Sequence, residues 1–197
     1  MTTALIITDM QYDFLPGGAL AVTGGDEIID EINRLSKEYD LVVATQDWHP
    51  RNHGSFASQH EGAQLYELGE LAGMPQVMWP DHCVQGTLGA ELTKDLDQER
   101  VEAIFRKGMD PKIDSYSAFF DNGHLKATGL EGFLKGRGVT EVHITGLAAD
   151  FCVWYTAKDA IGLGFEAAIL EKAVKAIDPD NFEKIKQEFL SLGGKLL

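Results

Sequence analysis

Five short stretches of the chain are mainly apolar and rich in β-branched residues: 4–8, 41–45, 101–106, 141–144 and 165–170. Runs of this length suit strands buried on both faces of a parallel sheet, where strict polar–apolar alternation is not needed. Between them the period lengthens to that of a helix. Ile28, Ile29, Ile32 and Leu35 form one apolar stripe behind Asp26, which is predicted to cap it. Thr128 and Glu131 have the spacing of a capping box, opening a helix that stops near Gly136 or Gly138. Residues 153–161 run without Gly or Pro. Asp178-Pro179 reads as an N-cap followed by Pro at the first helical position, with that helix reaching about residue 192 and a last short strand at 195–197. Strand and helix therefore alternate, which predicts a three-layer α/β/α fold with a mostly parallel central sheet, in one domain over residues 1–197. Residues 50–87 show no period, and so long a connection inside a compact domain is usually functional or disordered.

Composition narrows the function classes. The formal net charge of -14 argues against nucleic acid or an anionic membrane as a partner. The two cysteines, Cys83 and Cys152, come without a basic leader, which predicts reduced thiols and a soluble cytoplasmic protein. No Gly-x-Gly-x-x-Gly follows the first strand and no Walker lysine loop is present, so dinucleotide and phosphate binding are unsupported.

The polar residues that interrupt this pattern fall at one place in it. Asp9 ends the first run, Asp47 and His49 follow the second, Lys107 ends the third, and Cys152 lies in a small-residue turn after the fourth. Each also has an ordinary reading, as a cap, a solvated charge or a small buried hydrophobe. Their joint position at strand carboxyl ends, where open α/β sheets bind ligands, favours a single crevice. Asp150 reads as an N-cap for the helix after the turn, which puts Cys152 in a first turn whose dipole and free N–H groups favour a thiolate. A Cys with an acid and an amine suits acyl transfer. Asp47 and His49, two apart, face the same way in an extended segment, and His82 in the turn 79–87 can complete an Asp-His-His metal set. His53 and His60 are further candidates against a background of surface histidines, Cys83 is expected to be packed, and His143 reads as a core histidine.

Taken together, Asp9-Met10-Gln11-x-Asp13-Phe14, Thr45-Gln46-Asp47-Trp48-His49-Pro50, His82-Cys83-Val84-Gln85-Gly86-Thr87, Lys107-Gly108, Asp114-Ser115-Tyr116-Ser117 and Gly146-Leu147-Ala148-x-Asp150-Phe151-Cys152-Val153 resemble the isochorismatase-like (cysteine hydrolase) family. The Asp47 and His82 segments resemble its nicotinamide-hydrolysing members more specifically. The resemblance implies Cys152 as nucleophile, Asp9 as general base and Lys107 as the charge between them. It implies one divalent metal on Asp47, His49 and His82, zinc first, with iron or manganese compatible. It further implies an oxyanion hole from the N–H groups of Ala148 and Cys152, a cis Leu147–Ala148 peptide, and a pocket walled by Phe14, Trp79 and Tyr116. His53 matches a recurring histidine near the metal but is not taken as a ligand. The substrate expected is nicotinamide and the role NAD salvage, in a monomer or small homo-oligomer. The rivals are an isochorismatase or a carbamoyl-type amidase of the same fold, which need no such metal set, and a phospho-accepting receiver domain, which needs neither Cys152 nor His82.

Overall fold

The computed structural model of the chain describes residues 2–197. Its main sheet holds six of the eight strands: β1 (Thr2–Thr8), β2 (Leu41–Asp47), β5 (Val101–Lys107), β6 (Val139–Gly146), β7 (Glu166–Val174) and β8 (Lys195–Leu196). They pair in the order β5-β2-β1-β6-β7-β8, and every pairing is parallel. Strands β3 (Leu68–Leu71) and β4 (Met74–Val77) form a separate antiparallel hairpin. The helices are α1 (Ile29–Ser36), α2 (Leu130–Gly136), α3 (Trp154–Gly162) and α4 (Pro179–Ser191).

The apolar runs explain the layers. Along β1 the side chains alternate between faces: Leu5 and Ile7 pack with Ile28, Ile29 and Ile32 around α1, while Ala4 and Ile6 pack with Leu130, Leu134, Trp154 and Phe182 of α2, α3 and α4. Helices thus cover both faces, as the three-layer prediction requires. Chain order reverses across β1, which sits between β2 and β6. Open α/β sheets place their ligand crevice at such a reversal, beyond the strand carboxyl ends. Gly146 makes the closest approach there. At φ 99° a Cβ on it would stand 2.0 Å from the Thr8 carbonyl oxygen, so only glycine lets β6 end against β1. Among the described residues no helix is long and apolar enough to cross a membrane.

Three capping expectations divide. Asp178 accepts the Asn181 N–H (3.0 Å) as an N-cap should. Asp26 does not cap α1, whose N-cap is Ile28 without a side-chain bond. The Thr128–Glu131 capping box does not form: Gly129 occupies the cap position at φ 96°, Thr128 accepts the Leu130 N–H (3.2 Å), and Glu131 turns to Lys135. Within 50–87 the β3–β4 hairpin is order that the pattern did not signal. Its strands are four residues long and half-buried or exposed, with Gln76 alone buried, so no apolar face imposes a period.

Candidate active site

Asp9 leaves β1 at φ 49°, a left-handed conformation uncommon outside glycine. Thr45 at the end of β2 holds it, accepting the Asp9 N–H (3.2 Å) and donating its hydroxyl to Asp9 Oδ1 (2.7 Å). Lys107, the last residue of β5, has a fully buried side chain whose ammonium stands 2.9 Å from Asp9 Oδ2, 2.5 Å from Asp47 Oδ1, 3.1 Å from the Ser115 carbonyl and 3.3 Å from Cys152 Sγ. Carboxylate oxygens of Asp9 and Asp47 and the Cys152 sulfur lie within 4.8 Å of one another. Acid, amine and thiol from three different strand ends therefore meet at one point.

Their charges are set by burial and by each other. Burial raises the Asp9 carboxyl, with Lys107 opposing and Asp47 adding to the rise. Burial pulls the Lys107 ammonium down, but Asp47 and Asp9 outweigh it and hold the cation well above its ordinary value. Burial pushes the Cys152 thiol well up, against Lys107 and with Asp9 and Asp47. This corrects the expectation of a dipole-favoured thiolate: the resting group is a thiol beside a carboxylate. The turn itself also differs. Residues Ala149–Val153 form one π-helical turn ahead of α3. Asp150 does not cap it but accepts the N–H groups of Ile177 and Asp178 (2.9 Å each), tying the turn to the segment after β7. The Leu147–Ala148 peptide is cis. Around it Leu147 N–H bonds Thr8 O (2.9 Å) and Ala149 N–H bonds Lys175 O (2.8 Å), while among the described residues the Ala148 N–H has no partner.

The metal set assembles beside this cluster. Gln11 pairs both main-chain groups of Asp47, accepting its N–H and donating to its carbonyl (2.8 Å each), which fixes the end of β2. His49 Nδ1 faces the Gly108 carbonyl (2.8 Å) and His82 Nδ1 the Pro80 carbonyl (2.8 Å), so both rings carry the proton on Nδ1 and turn Nε2 inward. Those Nε2 atoms stand 3.6 and 3.9 Å from Asp47 Oδ2. Donor atoms about 2.0–2.2 Å from one tetrahedral ion stand about 3.3–3.6 Å apart, so the His49 spacing meets that range and the His82 spacing slightly exceeds it, and one carboxylate with two imidazoles is a donor set that suits a divalent metal such as zinc. Burial and the neighbouring His49 push His82 down to about 4, which leaves it neutral, as a ligand must be. Gly108 is required beneath His49: a Cβ at its φ of 66° would fall 2.3 Å from the ring. Asp13 presents His82, accepting the N–H of Cys83 (2.7 Å), itself at φ 46°. Cys83 is buried, as expected of a packed cysteine.

The other histidines separate. His53 is buried 4.3 Å from the His49 ring, but its Nδ1 accepts the Ser55 N–H (3.3 Å), the opposite tautomer to the two inward-facing rings. His60 is partly buried and bonds the Gly54 carbonyl (2.7 Å). His143 is partly buried and meets the Tyr39 hydroxyl (2.6 Å) at the far end of the sheet.

Between Cys152 and the metal set opens a narrow cleft. Phe14, Trp79 and Tyr116 line it, joined by Asp114 from the 114–117 segment and by Leu20, Phe151 and Ile177, which were not named as pocket residues from the sequence. Phe151 stood inside the Cys152 motif, so adjacency to the nucleophile was an available signal. Leu20 and Ile177 carried none. An apolar slot with a thiol at one end and a metal set at the other accepts a flat aromatic amide with a ring heteroatom.

The Isochorismatase domain family matches residues 3–195. A nicotinamidase of Acinetobacter baylyi is 49% identical over 191 residues, covering 96% of this chain and 89% of that protein. A nicotinamidase/pyrazinamidase structure from Acinetobacter baumanii superposes with a TM-score of 0.97 at 46% identity, covering 100% of this chain and 95% of that one. The yeast nicotinamidase bound to the inhibitor nicotinaldehyde gives 0.94 at 31%, covering 100% and 99%, and a Pyrococcus horikoshii pyrazinamidase in complex with zinc gives 0.82 at 40%, covering 100% and 99%. The chain belongs to the isochorismatase family, among its nicotinamidases.

Proposed function

We propose that the protein hydrolyses nicotinamide to nicotinate and ammonia through a thioester on Cys152. The observation that carries this reading is the meeting of Cys152, Asp9 and Lys107 beside the inward-facing Asp47, His49 and His82. Asp47, His49 and His82 would hold a divalent ion, which would supply Lewis-acid polarisation at that end of the slot. Asp9, its proton affinity raised by burial, takes the Cys152 proton as the sulfur attacks the carboxamide carbon. The Ala148 N–H faces the oxyanion with that of Cys152. As the C–N bond breaks, Asp9 returns the proton to the leaving nitrogen, which departs as ammonia. Asp9 then takes a proton from water, whose oxygen attacks the thioester carbon. The C–S bond breaks, and Cys152 recovers its proton. Lys107 keeps the two carboxylates compatible at close range throughout.

The ion is zinc on this reading, since the donor set is two imidazoles and one carboxylate, with iron and manganese as alternatives. The product re-enters NAD synthesis in the cytoplasm. The partner is a small molecule, with the charge of -14 opposing nucleic acid and anionic membranes, and the protein acts as a single domain in a monomer or small homo-oligomer. Intact mass after acid quench of turnover should show a nicotinoyl adduct on Cys152. Cys152→Ala should release no ammonia, and full activity in that variant would end the proposal.

A further inference from the structure

The β3–β4 hairpin stands apart from the main sheet, and its outer face is exposed at Leu68. Its Leu71 packs on Gly54, where a Cβ would come within 2.6 Å of Leu71 Cδ1. Among the described residues, every side-chain hydrogen bond from the hairpin to the rest of the protein comes from one residue, Gln76. Gln76 is 3% exposed. Its Nε2, with two protons to donate, lies within hydrogen-bond reach of three acceptors: Asp114 Oδ2 (2.9 Å), the Val77 carbonyl (2.9 Å) and Tyr116 Oη (3.1 Å). Tyr116 Oη also accepts from Trp79 Nε1 (3.2 Å). One buried amide therefore joins the hairpin to three groups that line the substrate slot: Asp114, Tyr116 and, through the tyrosine hydroxyl, Trp79. The rings of Tyr116 and Trp79 both meet Phe151 edge-on, at 5.4 and 5.0 Å, so a shift of either moves the wall beside Cys152.

We propose that Gln76 is a positioning residue that fixes the width of the slot, making the hairpin the element that selects single-ring over fused-ring aromatic amides. This rests on the nicotinamide-hydrolysing reading. Gln76 touches no reacting atom, so its loss should act on binding and selectivity before chemistry. Gln76→Met keeps the length and removes the donors. Gln76→Glu keeps the shape but sets a second carboxylate against Asp114.

The test compares nicotinamide with quinoline-3-carboxamide and follows hydrogen exchange of residues 68–79, all on the metal-loaded protein. Wild-type turnover of nicotinamide is the control, because its absence would remove the underlying reading rather than this proposal. For Gln76→Met, KM for nicotinamide should rise about tenfold with kcat within about threefold, the scale of one lost hydrogen bond to a charged group. Preference for nicotinamide over the fused-ring amide should fall about tenfold, and hairpin exchange should speed up. Gln76→Glu should be worse than Gln76→Met on every readout. Should the Gln76 variants fold poorly, Tyr116→Phe removes the shared acceptor and should reproduce the faster hairpin exchange. Where Gln76→Met folds, the double variant Gln76→Met/Tyr116→Phe should fall short of the summed effects of the two singles. Unchanged KM, selectivity and exchange in the single variants, or full additivity in the double, would overturn the proposal.

Discussion

Lys107→Met tests how far the site depends on one buried cation. The ammonium has no exposed side-chain surface and stands 2.9 Å from Asp9 and 2.5 Å from Asp47. At an effective dielectric of about 20, each attraction is about 6 kcal/mol gross. Desolvation of all three groups offsets much of that, so the pairs stabilise the fold far less than the gross figures imply. Removing the cation alone is different, because two carboxylates then remain buried without compensation. Breaking a buried pair this way costs about 3–5 kcal/mol. For a chain of this length that is a fall in Tm of about 6–20 °C. The sign with pH follows from Asp9. Burial already raises its carboxyl in the folded state, and the variant loses the charge that opposes the rise. A raised folded pKa gives stability that is full below the unfolded value of about 3.9 and is lost as pH rises through the folded value. The Tm deficit of Lys107→Met should therefore be larger at pH 7 than at pH 4.5, read by calorimetry. Ammonia release should fall by about 10² or more, because Asp9 no longer exists as a ready base. A Tm within about 2 °C of wild type at pH 7 would refute the reasoning, as would a deficit that grows on acidification.

Further expectations concern single groups. Asp9→Asn should retain the fold and lose nearly all turnover. In the wild type the acid limb of kcat/KM should lie above the ordinary carboxylate range, because burial raises Asp9 and activity needs it ionised. His82→Ala should lower bound-metal stoichiometry in elemental analysis while leaving the Cys152 cluster, which His82 does not touch, reactive to a thiol reagent. Gly146→Ala should fail to fold or lose several kcal/mol in denaturant titration, since its Cβ would meet the Thr8 carbonyl at 2.0 Å and its φ is 99°.

The parallel sheet was legible because its strands are buried on both faces and read as continuous apolar runs, so Asp9, Asp47 and Lys107 stood out as polar ends. Those placements needed only local pattern and the rule that ligands sit at strand carboxyl ends. What stayed hidden depends on partners distant in sequence. Asp150 reads locally as a cap, but its acceptors serve N–H groups 27 and 28 residues away. Gln11 gave no sign that it would pair the main chain of Asp47, 36 residues on. Lys107 contacts Asp47 as well as Asp9, so the catalytic cluster and the metal set share a residue, which no motif encodes. The cysteine's protonation was misjudged for a related reason. A helix N-terminus favours a thiolate, yet burial and two nearby carboxylates outweigh it here.

The most direct test of the account is ammonia release from nicotinamide by the purified protein, before chelation, after chelation, and after return of zinc. Release that falls on chelation and recovers with zinc is the predicted result, with Cys152→Ala silent throughout. Release that persists in metal-free protein would contradict the role given to Asp47, His49 and His82. Release by Cys152→Ala would contradict the thioester route itself.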